Sequence, residues 1–226
     1  MIEHVHRIGA ALALCLMLMA CGDDYFVPSM KQDYLTAYSS ASGELESVIT
    51  DKGLRFPVIA DATHSRVKAD SLVRVVCNYT EETSSEGVTG IRINALVSAV
   101  APVPKAADTS KEGVKTDPAD VLSIWMGLDY LNCILEVKAQ NGAHYFHFVE
   151  EQVETDETTG HRTVSLLLYH DAGSDLQAYT QRAYLSIPLC QYASDGVSGV
   201  TVRFSLHTYE DEIKTYTFEY SPTNTN

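Results

Sequence analysis

Positive charge is scarce in this chain. Lys and Arg number 16 against 30 Asp and Glu, a formal net charge of -14. A polyanion demands a basic face, so nucleic acid is excluded as a partner. Electrostatic docking on anionic lipid is excluded for the same reason. Cysteine is scarce too. Five in 226 residues cannot build the disulfide framework of a small secreted scaffold. No CxxC pair and no Cys/His spacing marks a zinc site, and no GxSxG supplies a nucleophile elbow. Tryptophan occurs once. No cofactor or metal is implied. Apolar residues make up 45%, an ordinary globular share that rules out wholesale disorder.

Long apolar runs are also missing, with one informative exception. Ile8–Ala20 is apolar for 13 residues after a polar start that carries Arg7. That is too short to span about 30 Å of hydrocarbon as a helix. A short apolar run near the start that ends in small residues reads as an export signal. It closes Leu18-Met19-Ala20-Cys21, which resembles the bacterial lipobox. The resemblance implies cleavage before Cys21 and acylation of its thiol. Several acyl chains anchor a body that one chain holds only marginally, at about 0.8 kcal/mol per buried methylene. We therefore expect a signal peptide over 1–20, a lipidated tether over 21–33, and a body held to the membrane by lipid alone. Gly22-Asp23-Asp24 resembles the surface-export signal of Bacteroides-type lipoproteins, which implies an outer-membrane, surface-facing anchor. Two acids are equally a solvated tether.

The rest of the chain shows strand periodicity almost throughout. Five strands are expected over 34–100: Tyr34–Ala41, Glu44–Thr50, Leu54–Ile59, Ser71–Glu81 and Val88–Val100. Asp51-Lys52-Gly53 reads as a hairpin turn. The stretch 101–118 holds Pro102, Pro104, Gly113 and Pro118 and reads as a linker, with a domain boundary near Asp117. Seven strands follow over 119–222: Val121–Met126, Tyr130–Ala139, Ala143–Glu150, Arg162–Tyr169, Ala183–Leu189, Gly199–His207 and Ile213–Tyr220. Gln140-Asn141-Gly142 reads as a hairpin. Seven short strands in about 105 residues suggest a sandwich. Residues 21–117 carry 10 basic and 14 acidic side chains, against 5 and 15 in residues 118–226. The second unit therefore holds most of the negative field.

Four segments of the second unit stand out. The first is Trp125-Met126-Gly127-Leu128-Asp129-Tyr130-Leu131-Asn132, a W-x-G-x-D-Y-L-N pattern. The others are His144-Tyr145-Phe146, Ser165–His170 and Lys214–Tyr220. Together they resemble the NigD-like lipoproteins of Bacteroides and relatives. Arg55-Phe56-Pro57 and Arg74–Tyr79 match more loosely. The resemblance implies an all-β protein, an OB-like five-stranded barrel followed by a seven-stranded antiparallel sandwich. Leu128 stands where it implies a second glycine. The family's association with bacteriocin operons suggests immunity.

Candidate chemistry is thin. Trp125 is expected in the sandwich core, with an exposed platform for sugar or peptide as the other reading. Asp129 is expected to shape the turn after Gly127. His144 and His147 fall on opposite strand faces and cannot chelate one metal together. His170-Asp171 is expected to do ordinary hydrogen bonding. Glu150, Glu151, Glu154, Asp156 and Glu157 lack the ordered spacing of a calcium loop and read as a solvated hairpin loop. As a hydrolase pair they would need two carboxylates facing across a cleft. Cys77, Cys133 and Cys190 read as core thiols. Asp70-Ser71-Leu72 resembles a Bacteroides O-glycosylation site, and Asn78-Tyr79-Thr80 is an N-glycosylation pattern expected to go unused. The expected function is a non-enzymatic envelope lipoprotein that presents a surface to a protein or glycan. The alternatives are a bacteriocin immunity protein and a carbohydrate hydrolase using acids of the second unit.

Overall fold

A computed structural model describes residues 29–107, 113–194 and 196–221. The expected signal peptide, Cys21, most of the tether and residues 108–112 of the expected linker lie outside them.

The first unit contains β1 (Lys31–Ser39), β2 (Leu45–Thr50), β3 (Arg55–Asp61), β4 (Leu72–Thr83) and β5 (Thr89–Ser98). They close into a barrel in the order β1-β2-β3-β5-β4, with β4 returning to β1. Only the β3–β5 pair is parallel. This is the OB-like arrangement the resemblance implied. Period-two alternation fills the interior with Leu35, Ala37, Val48, Val75, Cys77, Ile91 and Ile93. The β2–β3 hairpin turns at Asp51-Lys52-Gly53 as expected. Gly53 takes φ 78, and Thr50 Oγ1 accepts the amides of Lys52 and Leu54.

The second unit contains β6 (Lys105–Ala106), β7 (Asp120–Met126), β8 (Tyr130–Ala139), β9 (Tyr145–Thr155), β10 (His161–Asp171), β11 (Tyr179–Pro188), β12 (Gly199–His207) and β13 (Ile213–Tyr220). One sheet runs β13-β12-β10-β9-β6 and the other β11-β8-β7. Their facing sides bury Leu131, Cys133, Leu135, Phe148, Leu166, Phe204 and their neighbours. Fully burying each such aliphatic or aromatic side chain contributes about 1.5–3 kcal/mol.

The all-β class is the expected one, and three details differ from expectation. β6 arises inside the expected linker and pairs with β9 in parallel, giving eight strands among the described residues. The same stretch bridges Thr116 to His170, so it runs along the sandwich. β10 and β12 also pair in parallel, because β11 between them belongs to the other sheet. Gln140-Asn141-Gly142 is not a hairpin, since β8 and β9 lie in different sheets. It crosses between sheets and is held by Asp175, whose carboxylate accepts the amides of Gln140 and Asn141. A side chain at Gly142 would meet Asp175 at 2.5 Å, so close packing explains this glycine.

Candidate functional site

The outer face of β11-β8-β7 carries the family motif, and the barrel docks on it. Alternation along β7 sends Ile124 and Met126 toward the sandwich core and Trp125 the opposite way. The expectation of a core Trp125 is thereby corrected. Its ring meets Tyr34 of β1 edge-on, with centroids 5.3 Å apart. Tyr34 also donates its hydroxyl to the Cys133 carbonyl at 3.0 Å and lies edge-on to Tyr184. Burial pushes the Tyr34 hydroxyl well above the usual tyrosine range.

At the centre of the junction stands Arg74 of β4, its side chain 3% exposed. Nε donates to Ser186 Oγ at 2.9 Å and Nη1 to Thr36 Oγ1 at 3.1 Å. Nη2 donates to Asn132 Oδ1 at 3.0 Å and pairs with Asp51. The guanidinium also lies 4.2 Å from the Tyr130 ring centroid, in cation–π range. Asn132 completes the circuit, donating to Asp51 Oδ2 at 2.7 Å and accepting from Ser186 at 2.7 Å. Barrel and sandwich each supply half of this buried, satisfied network.

The motif now has a physical account. Trp125 packs on the barrel, Tyr130 offers its ring to Arg74, and Asn132 holds both Arg74 and Asp51. A side chain at Gly127 would meet Asp51 and Asn132 at 2.5–2.6 Å, so glycine makes room for the ion pair. Leu128 does not have a positive φ, so no second glycine is required there. The turn is closed by the Gly127 amide on the Tyr130 carbonyl at 2.7 Å, and Asp129 ties two other elements in. It accepts the Tyr220 hydroxyl at 2.9 Å, and its carbonyl accepts the Leu189 amide at 2.9 Å. The crossing chain is stitched down as well, with Val100 bonded to Tyr184 and Ser186 along the β11 edge.

Beside this clamp the two units leave a groove of about 670 Å³. Trp125, Ile134 and Tyr184 line it from the sandwich, and Lys31, Asp33, Tyr34, Phe56, Tyr79 and Glu81 from the barrel. Lys31 pairs with Glu81 at 2.5 Å, and Tyr79 donates to Asp33 at 2.9 Å.

The remaining expected residues lie elsewhere. Glu150, Glu151 and Glu154 lie on β9 instead of in a loop, because that strand runs on to Thr155. Glu150 accepts the Tyr192 hydroxyl at 2.8 Å, and Asp156 caps the turn through the amides of Thr158 and Thr159. None of these acids lines the groove. Among the described residues no cluster of His, Cys, Asp and Glu could hold a metal ion. His147 stacks on Tyr169 on the outer side of β9. His144 meets His170 at 2.9 Å, a pairing the sequence did not reveal because β10 brings it in. His170 is buried under Phe146 and donates Nδ1–H to the Asp117 carbonyl at 2.9 Å. Its Nε2 is therefore an acceptor for His144, whose other nitrogen faces Asp175 at 3.4 Å. Burial holds the His170 pKa below the usual histidine value. Cys77 and Cys133 are buried free thiols, pushed up to about 12 by burial. Cys190 is exposed, which corrects its core assignment, because the strand ends before it in a short 3-10 turn. Ser71 is half-buried, its hydroxyl donating to the Lys68 carbonyl at 2.5 Å.

An OB-like barrel clamped through a buried arginine onto a two-sheet sandwich defines the architecture as that of a two-unit β protein with a groove at the junction. The profile of the NigD-like C-terminal beta sandwich domain matches residues 101–220. The chain belongs to the NigD-like family. A NigD-like immunity protein from Bacteroides caccae is 37% identical and superposes with a TM-score of 0.73. The match covers 88% of this chain and all of that one. A Bacteroides vulgatus protein of unknown function shares the fold at 17% identity, with a TM-score of 0.65 over 87% of this chain and 93% of that one. So does a Bacteroides fragilis protein provisionally described as a lipoprotein, at 11% identity and a TM-score of 0.60 over 87% and 100% of the two chains. No curated protein sequence matches. No helix of the described residues is long and apolar enough to cross a membrane.

Proposed function

We propose that this protein is a non-enzymatic binding protein of the bacterial cell envelope, tethered to the outer membrane by lipid on Cys21, with the interdomain groove as its ligand seat. The observation that carries this reading is the Arg74 clamp. It fixes two β units that could otherwise hinge and so preorganises a groove with aromatic lining, which lowers the ordering cost of binding. The spread of the β9 acids along a strand and its turn supports a binding role over hydrolysis. A photo-reactive residue at Lys52, on the β2–β3 turn at the groove rim, tests it on living cells. The expected result is one dominant cross-linked species that is absent with the same probe at Leu176, which is 66% exposed and not part of the groove lining. Identical patterns from both positions would overturn the reading.

A second reading is bacteriocin capture. It is favoured by the description of the 37% identical relative as an immunity protein and by the acidic surplus of residues 118–226, 15 acids against 5 bases. A basic toxin would be steered toward that unit.

A further inference from the structure

The chemistry of the groove lining narrows what it can take. Trp125 and Tyr184 offer ring surface from one wall and Phe56 from the other. Most of the charges between them are already engaged. Lys31 is paired with Glu81, the Asp33 carboxylate accepts the Tyr79 hydroxyl, and Asp51 is paired with buried Arg74. The Lys52 ammonium makes no ion pair or hydrogen bond among the described residues, and it stands exposed at the turn tip. Gln32 is exposed on the rim, with an amide that makes no side-chain hydrogen bond.

A strongly charged ligand seated between the rings would compete with these pairs, and its excess charge would stand uncompensated beside apolar surface. A neutral molecule with apolar faces and many hydroxyls needs no such exchange. Its C–H faces gain contact with aromatic rings, and its hydroxyls can donate to carboxylate oxygens and accept from an amide without disturbing the ion pairs. A volume of about 670 Å³ lies inside the range of small-ligand sites.

Resting on the groove reading above, we propose that the groove binds a neutral carbohydrate chain. Sugar rings stack on Trp125 and Tyr184, and hydroxyls bond to Gln32, Asp33 and Glu81. Lys31, Lys52 and Arg74 balance Asp33, Asp51 and Glu81, so the site is neutral overall, which separates it from the acidic sandwich surface invoked for a basic toxin.

The test uses the purified full-length chain in a non-glycosidic detergent. Trp125 is the sole tryptophan, so its emission reports the groove directly. The protein is applied to an array of neutral and acidic glycans and to a peptide library, and hits are titrated by fluorescence. Saturable binding of neutral glycans with a shift in Trp125 emission is expected. Gln32→Ala, an exposed change that leaves the fold alone, should weaken binding about tenfold, and Trp125→Ala at least as much. Circular dichroism checks that both variants fold. The proposal is overturned if no neutral glycan binds, or if Gln32→Ala binds as the parent does. Peptides that shift Trp125 emission in place of glycans would overturn the carbohydrate assignment and leave the groove reading standing. Silence from both libraries, together with identical cross-linking at Lys52 and Leu176, would remove both.

Discussion

Arg74 concentrates the energetics of this molecule at one side chain. A buried guanidinium must satisfy its donors, and it does so across the domain junction on Thr36, Asp51, Asn132 and Ser186. Arg74→Ala leaves the Asp51 carboxylate without its charge partner, and removing one partner of such a buried pair costs about 3–5 kcal/mol. Urea unfolding should show that loss, and a cost under ~1 kcal/mol would mean the clamp does not hold the units together. The thiols give a second forecast at this scale. With Cys21 replaced by Ser, Cys190 should react at once with a colorimetric thiol reagent. Cys77 and Cys133 should stay silent until denaturant is added, since burial keeps them protonated. Three fast thiols would contradict that packing. Cys77 and Cys133 were legible as core residues from their alternation with apolar neighbours. Trp125 was misread because alternation tells which residues share a face, not which face is the core.

At the scale of elements, the end of β10 is knitted to the chain entering the sandwich. His170 bonds Asp117, Lys115 pairs with Asp171 at 2.8 Å, and Asp175 anchors the crossing from β8 to β9. His170 must stay neutral to accept from His144, and its folded pKa lies below its unfolded value. The unfolded chain therefore binds a proton that the native state refuses as pH falls below about 6.5. Stability from this site is fully present above that pH and is lost on acidification toward the folded pKa. His147, also lowered by burial, adds to the same slope. Thermal melts between pH 7.5 and 5 should show a falling midpoint, and His170→Gln should flatten part of it. An unchanged slope in that variant would place the acid sensitivity elsewhere. Every described strand but β6 was readable, and three strands of the sandwich match their expected bounds, because each alternates over a half-buried pleat. The turn at 140–142 was not readable, since a glycine needed for close packing against Asp175 looks locally like one needed for a tight hairpin.

At the scale of the whole molecule, two forecasts separate the tether from the surface. Cys21→Ser should abolish fatty-acid labelling and move the protein from the membrane pellet to the soluble fraction. Retention in the pellet after that change would show an anchor other than lipid. If a basic toxin is the partner, the complex should weaken steeply as salt rises, because exposed charges are screened beyond a Debye length of about 8 Å at physiological ionic strength. A salt-insensitive complex would count against electrostatic capture by the sandwich.

The sequence by itself determined the all-β class, the two-unit order, most strand positions and the family, because period-two alternation and a short motif are local properties of the chain. Tertiary structure alone decided what the motif is for. The bonded pairs among Asp51, Arg74, Asn132 and Ser186 are separated by up to 112 residues, and no local pattern marks them as one network. Only the docking of the barrel on the outer face of β11-β8-β7 brings them together, turns Trp125 toward the barrel, and leaves beside them a groove whose charges cancel.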